Sequence, residues 1–529
     1  MAFPAHGRRD FGKVALTMPE RDLVKTGIAG LDDILAGGLL RGSVVLVEGT
    51  AGTGKTTLGV EFIYRGAAEF NEPGVIVLFE VSPDKLVRDA ALFGWDLPAL
   101  ERAGRLKIVF TTRQVFQQEV QQADSLLLDE AAAIGARRIF VDGLVPRTMG
   151  DGDTRRNTPE AFHLLAEGLQ RERLTAILGV EVAGFPDARL GASLPEEFIA
   201  DTVIQLRTEP MERAVQRSIE IVKARGQDYR MGRHSFSIVD GKGIEVYRRV
   251  QAPRDSLREE AAAFDPSTRV TTGVPGLDDL MGGGLFLGST TLVVGITGSG
   301  KSVMSLQYVA EGARRGERSI MLTLDEPRAQ VLRNAATIGI DLKPSIDKGL
   351  VRLVYDRPQE IEIDRHFLEL EKIVKEFRPR RAVIDSLSTY GSSLGPTGRS
   401  FRDFFHAVVA LMKEHQVTTL YNHENPELLG MSSVMGPYGV SSLVDNVVLL
   451  NWVELGDTFR QALTIAKMRA NAFDRTTREC EIVNGQGMRV LPREIPPGAT
   501  RRLAFWEYFG LVARSPERHP PSGLQGSRQ

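Results

Sequence analysis

A single cysteine, Cys480, stands among 529 residues. That scarcity excludes an intramolecular disulfide framework and any metal site assembled from several thiolates. An excess of one charge is missing too: 66 Lys and Arg nearly cancel 68 Asp and Glu, for a formal net charge of -2. Chains that mainly bind DNA or anionic membranes usually carry a basic surplus, so the balance argues against both as partners. No apolar run approaches the roughly 20 residues needed to span a bilayer. The opening MAFPAHGRRDFGK lacks the apolar stretch of a secretory signal. The expected location is the cytoplasm.

What is present is a globular composition, 42% hydrophobic and 25% charged, in a chain longer than one core usually supports. The chain also repeats itself. TGIAGLDDILAGGLLRGSVVLVEGTAGTGKT from Thr26 aligns without a gap with TGVPGLDDLMGGGLFLGSTTLVVGITGSGKS from Thr272. Further on, RRIFVD ending at Asp142 mirrors RRAVID ending at Asp385, and IVKAR from Ile221 mirrors IAKMR from Ile465. So long a period marks a duplicated domain, not a solenoid. The expected organisation is a tail over 1–20, a first domain over 21–250, a charged, proline-containing linker over 251–265, a second domain over 266–495 and a tail over 496–529.

Within the first copy, SVVLVEG, GVIVLFE, RLKIVF, RRIFVDG and LTAILGV read as buried strands, and LGVEFIYRGAAEF and AFHLLAEGLQRE as helices between them. Apolar strands alternating with amphipathic helices predict an α/β fold, each domain a mostly parallel twisted sheet flanked by helices.

Two stretches carry phosphate chemistry. Gly49-Thr50-Ala51-Gly52-Thr53-Gly54-Lys55-Thr56 fits G-x-x-x-x-G-K-[ST], as does Gly295-Ile296-Thr297-Gly298-Ser299-Gly300-Lys301-Ser302. Glycines let successive N–H groups turn inward around a phosphate, the lysine reaches the β- and γ-phosphates, and the last hydroxyl ligates Mg²⁺. ATP and Mg²⁺ are therefore the expected ligands. Asp142 and Asp385 end apolar strands and suit the Mg²⁺ shell. Glu80 and the Asp325-Glu326 pair end the next strands and are candidate catalytic carboxylates, Asp325 also a candidate metal contact.

At these residues the chain resembles the KaiC family of double-domain RecA-like ATPases and autokinases. NEPGVIVLFE followed by LFGWDL, EPRAQVLRNA, RPRRAVIDSLS and MGPYGVSSLVDNVVLLNWVE carry the likeness, which extends over roughly residues 20–490. The resemblance implies an ATP-dependent homohexamer of two stacked rings, KaiB-like signalling proteins as further partners, and a second ring that phosphorylates itself. It implies that Lys223-Ala224-Arg225 and Lys467-Met468-Arg469 reach a neighbour's nucleotide, and it adds Thr57, Val303, Asp240 and Arg475 to the contact set. The implied phosphorylation sites are Ser441 and Ser442, with Ser432-Ser433 as a nearby decoy.

Three departures stand out. The family's Glu-Glu pair is Glu80-Val81 here in the first domain and Asp325-Glu326 in the second, and Gln461 replaces a second-domain arginine although Arg460 is adjacent. The segment TRRLAFWEYFGLVAR is a packing or partner-docking element. Two other functions fit the same fold: a RecA/RadA-like DNA-dependent ATPase, and an ATP-binding scaffold with negligible turnover.

Overall fold

The computed structural model describes residues 22–121, 125–144, 159–182, 195–210, 215–250, 268–357, 362–393, 398–424, 440–455, 458–494 and 501–502. The linker 251–265, the Ser432-Ser433 pair, the tail 1–20 and all of the tail 496–529 except Arg501–Arg502 lie outside these residues. The chain divides into two compact units, residues 1–249 and 250–529.

The first unit is built on a nine-stranded sheet in the spatial order Gly243–Tyr247, Arg233–Val239, Val215–Ala224, Thr202–Pro210, Val44–Gly49, Thr175–Glu181, Arg138–Leu144, Gly74–Leu78 and Leu106–Phe110. The last six are mutually parallel, and the first three close one edge as antiparallel hairpins. The second unit repeats this order from Gly487–Glu494 to Val351–Tyr355, with Thr290–Gly295 at the centre and Arg501–Arg502 pairing beside Asn446–Leu455.

Alternation explains why the central strand opens with four consecutive apolar residues, Val44 to Val47. Val45 and Val47 enter one core cluster while Val44 and Leu46 enter the other, so both faces of the sheet are covered. Helix Lys55–Glu69 covers one face. Gly59 permits its close approach, because a Cβ there would lie 2.1 Å from the ring of Phe140.

The duplicated Arg-Arg pairs have a structural role. Arg138 is fully buried, donates to Glu72 at 2.8 and 2.5 Å and to the carbonyls of Phe62 and Lys25, and lies over the Phe62 ring. Arg381 does the same with Glu317, the carbonyls of Thr271 and Tyr308, and the Tyr308 ring. The repeated T-G-x-x-G-L-D-D is also architectural: Asp32 accepts from Thr26 N–H at 2.9 Å, and Asp278 from Thr272 N–H at 2.8 Å. Among the described residues no helix is long and apolar enough to cross a membrane.

Candidate active site

Both phosphate loops sit where a central parallel strand meets a helix, at the carboxyl edge of the sheet. The turn into each helix runs through Gly54 (φ 103°) and Gly300 (φ 97°), a left-handed conformation that side chains rarely adopt. Lys55 Nζ donates to the carbonyls of Gly49 and Thr50, each at 2.9 Å, and Lys301 Nζ to those of Gly295 and Ile296, each at 2.8 Å. Burial lowers both ammonium groups from the ordinary lysine value, and nearby acids work against it: Glu181 and Asp142 in the first unit, Glu424, Asp385 and Asp325 in the second.

The hydroxyl that ends each loop meets the strand-end aspartate. Thr56 Oγ1 donates to Asp142 Oδ2 and Ser302 Oγ to Asp385 Oδ2, both at 2.8 Å. Burial raises both carboxyl groups above the ordinary range, while these hydroxyl bonds pull them back. A hydroxyl and a carboxylate converging beside a lysine form a donor set that suits Mg²⁺ completed by phosphate oxygens and water. Among the described residues no cluster of three or more Asp, Glu, His or Cys side chains offers a metal a complete protein cage.

The candidate carboxylates lie at the same sheet edge but in different company. Glu80 is ion-paired with Arg113, whose Nε also donates to the carbonyl of Gly143 at 2.6 Å. Asp325 occupies the equivalent position and accepts from two hydroxyls, Thr389 at 2.8 Å and Ser386 at 3.1 Å. Glu326 is held by Asn334 Nδ2 at 3.0 and 3.2 Å, and burial raises its carboxyl above the ordinary range.

Sequence reasoning missed Arg113, Ser386, Thr389 and Asn334. It also missed two strand-end carboxylates. Glu181 ends Thr175–Glu181, paired to Gly49, and Glu424 ends Thr418–Glu424, paired to Gly295, where it is hydrogen-bonded by Thr297 Oγ1. The signal was available: both copies end this strand in Glu, one residue past the apolar run LTAILGV in the first.

The K-x-R segments and the two serines gather at the opposite edge of the sheet. Lys467 Nζ donates to the carbonyls of Ser441 at 2.8 Å and Val444 at 2.7 Å, and Arg469 to that of Ser442 at 2.9 Å. The first unit repeats this: Lys223 binds the carbonyls of Glu197 at 2.7 Å and Ala200 at 2.6 Å, and Arg225 that of Phe198 at 2.6 Å. Ser441 is buried and Ser442 exposed in the short 3-10 turn Val440–Ser442. Thr290 N–H donates to Asp445, so this turn lies at the start of the strand that ends in the phosphate loop. The length of that six-residue strand, about 20 Å at 3.3 Å per residue, separates the serines from Lys301 of their own chain.

Ala224 and Met468 lie inside the K-x-R strands, Met468 buried and Ala224 half-buried. Thr57 and Val303 are half-buried in the first turns of the phosphate-loop helices. Asp240 is exposed in the turn after strand Arg233–Val239, whose Phe236 and Ile238 face Gly54. Arg475 is exposed and stacks over Phe473 in the connection between Thr458–Met468 and Arg478–Val483. It belongs to the serine edge, not to the loop of Lys301.

Comparison with known proteins completes the description. The family model described as "ATPase: KaiC" matches residues 24–251 and again 270–495. The circadian clock oscillator protein KaiC of a Picosynechococcus strain is 32% identical over 503 residues, covering 94% of this chain and 92% of that protein. KaiC 1 of a Synechocystis strain is 32% identical over 504 residues, with the same two coverages, 94% and 92%. KaiC of Synechococcus elongatus is 32% identical over 463 residues, 86% of each chain.

Proposed function

The chain belongs to the KaiC family of ATPases, and from that premise we propose that each unit hydrolyses ATP and that the second also transfers phosphoryl groups to Ser441 or Ser442 of a neighbouring copy. One observation carries the reading. The serine turn and its K-x-R cations lie a strand's length from the phosphate loop of their own unit, so a chain that modifies this turn does so between copies.

In this reading Lys55 and Lys301 bind the β- and γ-phosphates, while Thr56 with Asp142 and Ser302 with Asp385 hold Mg²⁺. Bound Mg²⁺ would offset phosphate charge. Asp325 takes the serine proton as the serine oxygen bonds the γ-phosphorus and the β–γ P–O bond breaks, releasing ADP. Lys467 and Arg469 offer positive charge to a neighbour's nucleotide. Glu326, tied to Asn334, sits one residue behind as the second carboxylate.

Incubation with γ-³²P-ATP tests the proposal directly. Label is expected on Ser441 or Ser442, absent from the double variant Ser441→Ala/Ser442→Ala, and formed at a rate that rises with protein concentration until assembly is complete. Light scattering should show an oligomer favoured by Mg-ATP. Label on Ser432 or Ser433 would move the acceptor, and hydrolysis without any label would leave an ATPase alone.

A second reading concerns the first unit. The Glu80–Arg113 ion pair favours a site that holds ATP for assembly and turns it over slowly.

A further inference from the structure

A closed circuit of hydrogen bonds surrounds Asp325, and most of it is buried. Asp356 N–H donates to the carbonyl of Thr323 at 3.3 Å, two residues before Asp325. The Asp356 carboxylate meets His366 Nδ1 at 2.8 Å, and His366 Nε2 meets the Tyr390 hydroxyl at 2.5 Å. Tyr390 belongs to helix Leu387–Ser393, which directly follows the strand ending in Asp385. On that helix Thr389 donates to Asp325, and Ser386, just before it, does so as well. The circuit thus returns to the carboxylate it started from.

The His366 hydrogen bond holds the Asp356 carboxyl below the ordinary range, and that carboxylate accepts from Nδ1. Burial pushes the Tyr390 hydroxyl well above its ordinary value, so the phenol stays protonated and shares one hydrogen bond with His366 Nε2, whose direction follows the tautomer. His366 is 5% exposed and Tyr390 1%, and the Tyr390 ring packs on Phe404 at 4.9 Å. An apolar trio would fill this space without the desolvation cost of an ionised carboxylate. A polar circuit does what packing cannot: it sets the rotation of a helix that carries two hydroxyls. Among the described residues the first unit has Thr111 at the register of Asp356 and Gly143 at that of Ser386.

We propose that His366 and Tyr390 are positioning residues of the second active site, holding the Ser386 and Thr389 hydroxyls on Asp325 so that its carboxylate keeps one orientation toward the attacking oxygen. This rests on Asp325 being the base, as read above. None of these side-chain hydrogen bonds is made to the phosphate loop or to the Asp385 carboxylate, so the expected effect is on turnover more than on nucleotide affinity.

The test uses the full chain carrying Lys55→Ala, so that hydrolysis reports the second site. Tyr390→Phe removes one oxygen and keeps the ring on Phe404. It should lower kcat about tenfold, as loss of an orienting outer partner commonly does, with KM for Mg-ATP and the thermal midpoint close to the parent. His366→Gln, whose amide can still hydrogen-bond the Tyr390 hydroxyl, should retain more turnover than His366→Leu. An unchanged kcat in Tyr390→Phe, or a loss that follows KM or the thermal midpoint, overturns the proposal. Asp325→Asn separates the two layers. If it is slow while Tyr390→Phe is not, positioning alone fails. If Asp325→Asn turns over at the parent rate, the base assignment fails and takes this inference with it.

Discussion

The two units share a sheet order, a phosphate loop and a lysine, hydroxyl and aspartate arrangement, yet they treat the carboxylate beside the nucleotide in opposite ways. In the first, Glu80 is bound to a guanidinium that is also anchored on the Gly143 carbonyl. In the second, Asp325 accepts from two neutral hydroxyls, those of Thr389 and Ser386. A carboxylate locked to arginine must give up that pair before it can orient water or accept a proton. One bound by hydroxyls has no such ion pair to give up. The layer behind the strand-end aspartate differs as well. Asn422 exchanges hydrogen bonds with Ser305 at 3.0 and 3.3 Å and also bonds Asp385. The first unit has Gly59 and Gly179 at those positions, with the Phe140 ring against both. Duplication kept the parts that grip phosphate and let the parts that tune reactivity diverge.

The strongest way to break this comparison is to remove one grip at a time. Lys55→Ala and Lys301→Ala should each abolish nucleotide binding in one unit, lowering the calorimetric stoichiometry from two ATP per chain to one. Loss of both sites from one substitution, in a chain that stays assembled, would mean the units are not independent.

A second contrast lies under the phosphate-loop helices and concerns stability. Glu61 is fully buried, and its Oε2 accepts from Ile244 N–H at 2.8 Å. Its counterpart Gln307 accepts from Met488 N–H at 2.8 Å. Burial pushes the Glu61 carboxyl up to about 7, partly opposed by the Ile244 N–H and Arg65. A carboxyl raised on folding stabilises the folded state fully below its unfolded value near 4.5, and that contribution is lost as pH rises through about 7. Glu61→Gln should therefore leave stability unchanged near pH 4 and raise it at pH 8 by at most about 3 kcal/mol. Gln307→Glu should import the same pH dependence into the second unit. Thermal midpoints from pH 4 to 8 would measure both, and a flat wild-type profile across that range would dismiss the idea.

The smallest expected effect sharpens the opening contrast. Arg113→Gln frees Glu80 and should raise first-site turnover severalfold, measured in a Lys301→Ala background. No change, or a fall, would mean that Arg113 serves the nucleotide directly.

The sequence was most legible where function is written as a contiguous run. The phosphate loops and Asp142 and Asp385 could be placed from a few neighbouring residues, and the expected strands SVVLVEG and GVIVLFE lie within a few residues of Val44–Gly49 and Gly74–Leu78. The antiparallel edge strands were harder to see, because Val215–Ala224 mixes exposed, half-buried and buried residues and has no continuous apolar run. Contacts made between distant segments were not legible. Arg113 reaches Glu80 from the helix Arg113–Gln121, and Thr389 reaches Asp325 from beyond three helices and two strands. The resemblance singled out the K-x-R cations, but their grip on backbone carbonyls leaves no mark in a one-dimensional pattern.

That grip has a consequence for how charge can be written onto the molecule. Glu197 stands in the first unit at the register of Ser441, yet the lysine holds its carbonyl at 2.7 Å in one case and 2.8 Å in the other. The clamp reads the backbone and ignores the side chain. One half of the chain therefore carries an acidic side chain where the other carries a hydroxyl, within the same scaffold. A phosphate added at Ser441 would enter a backbone frame that its sister already maintains around a glutamate. The first unit is thus a built-in reference for an acidic side chain at that position.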